Sequence, residues 1–298
     1  PPYLFIEDGY VKLDMMREKR QVVGLGELLD KINNKKDEYK DLTKKFYAIL
    51  GADVLGNPYL IDFSDSNTPH LLIAGQTGSG KSVLLMSILT SIMAIYTPRE
   101  VEMLLVDPKY VELTHFTNSP YTKKVATEVE EALGLLENLV IEMKDRYNEF
   151  REKKVQNIAQ YNSIVSEDKQ MKRIVMVFDE YASMMEDSNE NKKRLESAIK
   201  SLSQLARAAG IHLIICTQTP RADIITTTIR NNLTARIGLK VADSNASNLI
   251  LDTKGAERLL GKGDMLFKTG LSSNLIRLKS PYTIKEEVEK IIELINNR

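Results

Sequence analysis

The chain has 298 residues, of which 43% are hydrophobic and 28% are charged, with 41 basic and 41 acidic side chains. This composition is typical of a globular protein, and the net charge of zero excludes a dominant basic arm or acidic tail. No run of about 20 apolar residues predicts a membrane helix within the sequence. The one cysteine, Cys216, excludes an internal disulfide, and the length allows one large domain or a domain with a small appendage.

The predicted elements change in character along the chain. Residues 1–50 are mixed in charge and weakly helical in pattern, with a Lys-rich run from Lys35 to Lys45, and we expect an N-terminal helical segment or subdomain there. Residues 51–298 are expected to form one α/β domain, because from His70 short apolar runs alternate with longer amphipathic stretches. The short runs predict strands of a mainly parallel sheet flanked by helices, at 70–74, 103–106, 174–178, 212–217 and 235–241.

The clearest helix is predicted from about Thr127 to Lys154, where apolar residues recur at spacings of three and four and form one core-facing stripe. The polar stretch Glu186–Arg194 predicts a surface loop that leads into the next helix. Near the end of the sequence we predict a strand pair around Gly263–Leu278 and a helix from Ile284 to Ile295.

The strongest motif follows the first predicted strand of the α/β region. It reads Gly75-Gln76-Thr77-Gly78-Ser79-Gly80-Lys81-Ser82, and a predicted helix begins at Val83. This pattern is that of a phosphate-binding loop, in which backbone N–H groups and the helix dipole face an anion. We therefore predict that the eight residues of this motif, together with Val83, bind ATP, with Lys81 at the β- and γ-phosphates and Ser82 on Mg²⁺. The alternative, a glycine-rich turn that binds no nucleotide, is disfavoured by the strand and helix on either side.

A pair of carboxylates, Asp179 and Glu180, follows the predicted strand that ends at Phe178. Because ligands bind at the carboxyl ends of parallel strands, we expect Asp179 to hold Mg²⁺ and Glu180 to polarise the attacking water. Two adjacent acids also suit the start of a helix, but their place behind a phosphate loop favours hydrolysis. Gln218, at the end of the next strand, is a candidate sensor of the γ-phosphate, although such a glutamine alone is more often a surface residue.

Six segments, taken in order, resemble the motor domain of the FtsK/SpoIIIE family of DNA translocases. They lie at residues 69–75, 106–109 with 112–113, 178–182, 206–213, 217–220 and 255–266. The resemblance covers the chain from about residue 50 onward. It implies a RecA-like P-loop NTPase core, ATP hydrolysis, and a homo-oligomeric ring, usually a hexamer, that drives double-stranded DNA through a central pore. Arg207 falls where the family places its arginine finger, and the alternative for this residue is a salt bridge on a helix surface.

The segment after Gln218 differs from the family at positions that the resemblance assigns to DNA. Family members commonly have an Arg after the Thr-Gln pair, whereas here Thr219 follows and the next Arg is Arg221. The family's Lys in the next helix is matched by Arg230, and the loop at 243–248 has no cation. Arg221 and Arg230 are therefore the candidate DNA contacts, and solvated surface charges are the alternative.

The resemblance implies that the partner is DNA, bound with weak sequence preference. One role that it implies is that of the coupling protein of a conjugative or integrative element. Such motors are cytoplasmic domains that commonly have a membrane anchor upstream. One alternative is a type VII secretion ATPase, which shares the core but moves protein and usually has several tandem motor domains. Another is a binding module that uses ATP only as a switch, which the pair Asp179–Glu180 argues against.

Overall fold

The computed structural model describes backbone and side chains at residues 22–34, 45–270 and 274–296, and the backbone alone at 3–7 and 10–14. The strands are β1 (Tyr3–Glu7), β2 (Tyr10–Asp14), β3 (Tyr47–Ala52), β4 (Pro58–Asp62), β5 (Leu71–Ala74), β6 (Val101–Val106), β7 (Thr122–Ala126), β8 (Arg173–Phe178), β9 (Ile211–Thr217), β10 (Ala235–Leu239), β11 (Asp264–Lys268) and β12 (Ile276–Lys279). The helices are α1 (Leu25–Asn34), α2 (Lys81–Ile95), α3 (Val129–Lys153), α4 (Ile158–Ile164), α5 (Tyr181–Met185), α6 (Asn189–Leu205), α7 (Thr227–Asn232), α8 (Ser244–Leu251) and α9 (Lys285–Asn296).

A ten-stranded sheet dominates the described residues, in the order β4-β3-β12-β11-β10-β5-β9-β8-β6-β7. The strands from β10 to β7 are parallel to their neighbours, whereas β11, β12, β3 and β4 extend the sheet antiparallel. Ala74 pairs with Thr217, and Phe178 pairs with Val106. The carboxyl ends of β5, β9, β8 and β6 therefore lie along one edge of the sheet, and the α/β fold with a mainly parallel sheet is confirmed.

Each central strand is buried on both faces because helices cover both sides of the sheet. Successive side chains of a strand point to opposite faces, and in β8 Met176 and Phe178 pack with α3 and α6 while Val175 and Val177 pack with α2. All six residues of β8 and all seven of β9 are buried. This explains why the sequence runs are continuously apolar rather than alternating.

The structure confirms the predicted central strands, the long helix α3, the strand pair β11–β12 and the last helix. The expected surface loop at Glu186–Arg194 is shorter than predicted, because α6 already begins at Asn189. The Ser188 side chain caps this helix by accepting a hydrogen bond from Asn191 N, and such a cap stabilises a polar helix start. No helix in the described part of the chain has the length and apolarity needed to cross a membrane.

The N-terminal region differs from the helical segment expected for residues 1–50. The strands β1 and β2 form a separate antiparallel pair, and α1 follows them. The strand β3 spans residue 50 and joins the main sheet through β4 and β12, and its Ile49 and Ala52 pack with Leu28 of α1. Such pairing depends on partners distant in sequence, which a local helical pattern does not reveal. Most of the Lys-rich run, residues 35–44, lies outside the described residues.

Candidate nucleotide site

The phosphate loop joins the carboxyl end of β5 to the first turn of α2. Gly80 is the N-cap of α2 with a φ of 104°, in the left-handed region that favours glycine. A Cβ at Gly80 would come within 2.5 Å of Gly263 N, and the same Gly263 N donates to Ser79 O at 2.7 Å. The segment before β11 thus packs directly on the loop, and only glycine at position 80 allows this approach.

Two hydrogen bonds fix the start of the loop to neighbouring strands. Gly75 N donates to Thr217 O at 3.2 Å, and Gln76 N donates to Lys240 O at 2.9 Å. A Cβ at Gly75 would lie 2.6 Å from Leu239 Cβ, so this close approach also requires glycine. The loop is therefore anchored between the ends of β9 and β10.

Lys81 is buried against the acidic pair at the end of β8. Its Nζ donates to Asp179 O at 2.7 Å and lies 2.6 Å from Asp179 Oδ1. Burial disfavours the ammonium form, but the charge and hydrogen bond of Asp179 outweigh it and raise the pKa of Lys81. The lysine predicted for the phosphates is therefore positively charged at neutral pH.

Oxygen ligands suitable for a hard cation lie beside the loop. Ser82 lines the same cavity as the phosphate loop, and Asp179 follows β8 at the same edge of the sheet. On the neighbouring strand, the buried carboxylate of Asp107 accepts hydrogen bonds from Val111 N and Leu113 N, both at 2.9 Å. This turn carries Glu112 into the cavity lining. A hydroxyl and a carboxylate are ligands that Mg²⁺ accepts, so the residues present fit that ion.

Donors from β9 and α5 hold both carboxylate oxygens of Glu180. Oε1 accepts from Thr217 Oγ1 at 2.7 Å and from Ala182 N at 3.3 Å, and Oε2 accepts from Gln218 N at 2.9 Å. The Gln218 side chain turns the other way, and its Oε1 accepts from Thr77 Oγ1 at 2.9 Å. Gln218 thus contacts both the phosphate loop and the predicted general base.

A cavity of about 950 Å³ lies over the phosphate loop, a volume at the upper end of the range for small-molecule sites. Leu260 and Lys262 of the segment 255–266 line part of it, and a second part, which the sequence analysis missed, consists of Val22, Val23, Lys279, Pro281 and Tyr282. Tyr282 N donates to Val23 O at 2.7 Å, which joins the segment before α1 to the segment after β12. No local motif marks this second part of the lining, because residues 22–23 and 279–282 are far apart in sequence.

Arg207 lies at the opposite edge of the sheet from the phosphate loop of its own chain. It is exposed in the turn between α6 and β9, and its Nε donates to Ser64 O at 2.8 Å. Gln218 follows the other end of β9, Glu180 follows the same end of the adjacent strand β8, and a strand of seven residues spans about 20 Å. A role for Arg207 at a γ-phosphate would therefore require a second copy of the chain.

The two candidate DNA contacts both lie near carboxylates. Arg221 is 53% exposed, with its Nη2 3.2 Å from Asp223 and 3.8 Å from Glu186. Arg230 is 31% exposed and lies 3.8 Å from Asp252. Arg221 lies at the end of the sheet that carries Gln218, beside Glu186 after α5. Arg230 lies near the amino end of β10, where its carbonyl oxygen accepts a hydrogen bond from Arg236. Neither arginine belongs to the cavity lining.

A strand, a phosphate loop and a helix, with an acidic pair after the parallel strand β8, which β9 separates from β5, define a P-loop ATPase of the RecA-like type. The chain belongs to the FtsK/SpoIIIE family, whose model matches residues 28–222. It is 39% identical over 292 residues to the DNA translocase FtsK of Clostridium tetani, covering 97% of this chain and 38% of that protein. It is 37% identical over 294 residues to the DNA translocase FtsK of Staphylococcus aureus, covering 96% of this chain and 36% of that protein. The chain thus spans less than two fifths of the length of these relatives.

Solved structures show the same architecture. The pCW3 conjugation coupling protein TcpA, in a monomer form with ATPgS, is 33% identical, with a TM-score of 0.73 over 84% of this chain and 70% of TcpA. The cytoplasmic domain of the type VII secretion ATPase EccC of Thermomonospora curvata is 22% identical, with a TM-score of 0.72 over 85% of this chain and 31% of EccC. The second similarity concerns the fold alone.

Proposed function

We propose that the chain is the ATP-hydrolysing motor domain of a DNA translocase. The observation that carries the proposal is the hydrogen-bonded arrangement of Glu180, Gln218 and the phosphate loop at one edge of the sheet. A loop that binds phosphate, with the carboxylate of Glu180 held beside it, provides the groups needed to transfer a phosphoryl group to water. The relatives named as DNA translocases, and a coupling protein whose structure contains ATPgS, support this function.

Each residue of the site has a defined part in hydrolysis. The backbone N–H groups of the loop bind the phosphates, and the charged Lys81 attracts their β- and γ-oxygens. Glu180 accepts the proton of the attacking water, and Gln218 is placed to respond to the terminal phosphate. Ser82 and Asp179 would hold Mg²⁺, which when bound neutralises charge on the phosphates.

Assembly into a homo-oligomeric ring, a hexamer by resemblance, is the second part of the proposal. Arg207 is too far from its own phosphate loop to contact a nucleotide there, so it would act on the site of a neighbouring copy. An arginine placed in trans stabilises charge in the transition state and makes hydrolysis depend on assembly. The exposed position of Arg207 beside Ser64 leaves its guanidinium accessible to such a neighbour.

Double-stranded DNA is the proposed substrate, contacted by the phosphate-binding side chains Arg221 and Arg230. Both lie in the stretch that joins Gln218 to β10, so a change at the bound nucleotide would reach both arginines through one length of backbone. Their present pairs with Asp223 and Asp252 are at least partly exposed, and exposed ion pairs exchange partners at little cost. We further propose that the domain is cytoplasmic and is attached to a membrane anchor upstream.

Protein translocation, as in type VII secretion, is the second candidate. The observation in its favour is that residues 243–248, a loop expected to be basic in DNA motors, contain no cation and form the start of α8, capped by Asp243. A ring with fewer cations facing its pore would bind the phosphates of a DNA duplex with lower affinity. The two candidates differ in whether DNA or a polypeptide stimulates ATP hydrolysis.

The test compares rates of ATP hydrolysis with and without linear double-stranded DNA, in wild type and in Glu180→Gln. We expect DNA to stimulate the wild type, and Glu180→Gln to bind ATP but hydrolyse it about 10²–10⁴-fold more slowly. Glu167→Gln, on an exposed turn, is the matched control and should behave as wild type. Hydrolysis that does not respond to DNA but rises with an added unfolded polypeptide would favour the protein-translocating alternative.

A further inference from the structure

We propose that the hydroxyl of Thr217 positions Glu180 and links it to the loop that carries Arg221. The inference rests on the proposed function, since it takes Glu180 as the general base. Thr217 is the last residue of β9 and is completely buried. Thr217 does not line the nucleotide cavity. Any effect of its hydroxyl on ATP hydrolysis must therefore pass through the residues to which it is hydrogen-bonded.

The Thr217 hydroxyl makes a hydrogen bond on each side. It donates to Glu180 Oε1 at 2.7 Å and accepts from Thr219 N at 3.1 Å. A buried hydroxyl must have partners, since an unpartnered one costs free energy in an apolar interior. Here the two partners are the predicted general base and the first residues of the loop, so one oxygen atom joins the two.

The next residue makes the connection to the phosphate loop. Gln218 N donates to Glu180 Oε2, while the Gln218 side chain accepts from Thr77 Oγ1. A carboxylate offers about four acceptor positions, and the donors from Thr217, Gln218 and Ala182 occupy three of them. This fixes the orientation of the carboxylate and leaves one acceptor position for a water molecule.

The loop transmits movements of Arg221 to Thr217 through its backbone. Arg221 N donates to Thr219 O at 2.9 Å, and Ile225 N donates to Arg221 O at 2.8 Å. Ile224 and Ile225 are each 1% exposed, so the far end of this short loop is anchored in the core. A displacement of Arg221 by a bound phosphate would therefore be taken up at Thr219, whose N–H is bonded to the Thr217 hydroxyl.

A strand residue in this core would ordinarily be apolar, and its neighbours in β9 are isoleucine and cysteine. Valine has nearly the shape of threonine but lacks the hydroxyl, so Thr217→Val removes the connection with little change in packing. Thr217→Ser keeps the hydroxyl and removes only a methyl group. The pair of variants separates the role of the hydrogen bonds from the role of side-chain volume, and Thr217→Ala serves if Thr217→Val does not fold.

The experiment measures kcat and KM for ATP, with saturating double-stranded DNA, in wild type, Thr217→Val, Thr217→Ser, Glu180→Gln and the double variant Thr217→Val/Glu180→Gln. Losing a hydrogen bond to a charged group should lower kcat about 10–100-fold in Thr217→Val with KM unchanged. Thr217→Ser should retain kcat within about threefold of wild type. The double variant should be no slower than Glu180→Gln, because residues that act as a unit are not additive.

The outcomes separate this inference from the proposed function. Wild-type rates in Glu180→Gln would overturn the role of Glu180 and, with it, the inference. A slow Glu180→Gln beside a Thr217→Val with wild-type kcat would overturn the inference alone. It is likewise overturned if Thr217→Ser is as slow as Thr217→Val, or if the two substitutions slow hydrolysis additively.

Discussion

The ammonium group of Lys81 lies 2.6 Å from Asp179 Oδ1 and 2.7 Å from Asp179 O, and both side chains are at most 3% exposed. The residue expected at the phosphates is thus also the partner of a buried carboxylate. Removing one member of a buried ion pair leaves an uncompensated charge, which destabilises a protein by about 3–5 kcal/mol. Lys81 therefore contributes to the stability of the nucleotide-free fold as well as to binding.

We expect Lys81→Met to lower the free energy of unfolding in urea by about 3 kcal/mol or more. Adding Asp179→Asn should restore a large part of this loss, because the second substitution removes the unpaired charge. Lys144→Met, on the exposed face of α3, is the control and should change stability by less than about 0.5 kcal/mol. If Lys81→Met were as stable as wild type, the ion pair between Lys81 and Asp179 would make no net contribution to the free energy of unfolding.

Arg207 should act between subunits. Its hydrogen bond to Ser64 O is at the surface, so Arg207→Ala should unfold at nearly the wild-type urea concentration. The ATPase rate, in contrast, should fall about 10³-fold or more. Specific activity of the wild type should rise with protein concentration, and mixing in Arg207→Ala subunits should depress it more than dilution does.

The control for Arg207 is Arg194→Ala, an exposed arginine of the preceding helix that pairs with Glu137 of α3 in the same chain. Arg194→Ala subunits should not inhibit the wild type in the mixing experiment. A monodisperse monomer whose specific activity is independent of concentration would contradict the role of Arg207 in trans.

The DNA interface should be electrostatic and insensitive to sequence. Phosphate groups carry no base information, and removing one cation that neutralises a phosphate should reduce the slope of log affinity against log salt by about 0.9. The variant Arg221→Ala/Arg230→Ala should therefore show a slope shallower by roughly 2 and no stimulation by DNA, while hydrolysis without DNA persists. Lys123→Ala/Lys144→Ala, two exposed lysines distant from this segment in sequence, is the control with the same change of charge. An unchanged salt slope in the arginine variant would remove both residues from the DNA interface.

Two buried histidines should make stability depend on pH. Burial lowers the pKa of His70 and of His212 to about 3, from about 6.5 in an unfolded chain. Between these values the unfolded state binds more protons, so their contribution to stability is complete above pH 6.5 and is lost as the pH falls toward 3. Each histidine should contribute a slope of up to about 1.4 kcal/mol per pH unit.

Urea unfolding at pH 7.5, 6.0 and 5.0 measures this slope, in a range where most carboxylates have not yet titrated. His70 Nδ1 accepts from Leu213 N, a bond that the amide oxygen of asparagine can also accept. His70→Asn should therefore fold and show about half the wild-type slope, since one of two titrating groups is gone. An identical slope in His70→Asn and wild type would contradict the assignment.

The phosphate loop and the acidic pair could be predicted from sequence because each is a local pattern beside a strand. Thr217, although adjacent to Gln218, received no role, because its function depends on the position of the Glu180 side chain across two strands. The wall made by Val23 and Tyr282 was also missed, since it forms only when the two ends of the chain meet. Local sequence patterns thus predicted the residues that bind and hydrolyse the phosphates. The tertiary structure was needed to find the residues that position Glu180 and line the rest of the cavity.

The antiparallel strands at one side of the sheet, β3 and β12 among them, could not be predicted for a similar reason. The strand β12 pairs with β3 at Lys279 and Ala52, and Gly51 lies so close to Lys279 that a Cβ there would be 2.2 Å from its carbonyl oxygen. Nothing in the sequence around residue 50 indicates a partner more than 200 residues away. The helical pattern assigned to residues 1–50 came from charge and spacing alone, whereas β3 is stabilised by contacts across the sheet.

Displacement of a third strand from triplex DNA tests the central claim most directly, because it reports movement along a duplex rather than hydrolysis. Wild-type protein with Mg²⁺ and ATP should displace a labelled third strand placed downstream on linear DNA. Glu180→Gln with ATP, and wild type with a non-hydrolysable ATP analogue, should bind the same DNA without displacing the strand. Active hydrolysis by the wild type with no strand displacement above that of Glu180→Gln would contradict the assignment of this chain as a DNA-translocating motor.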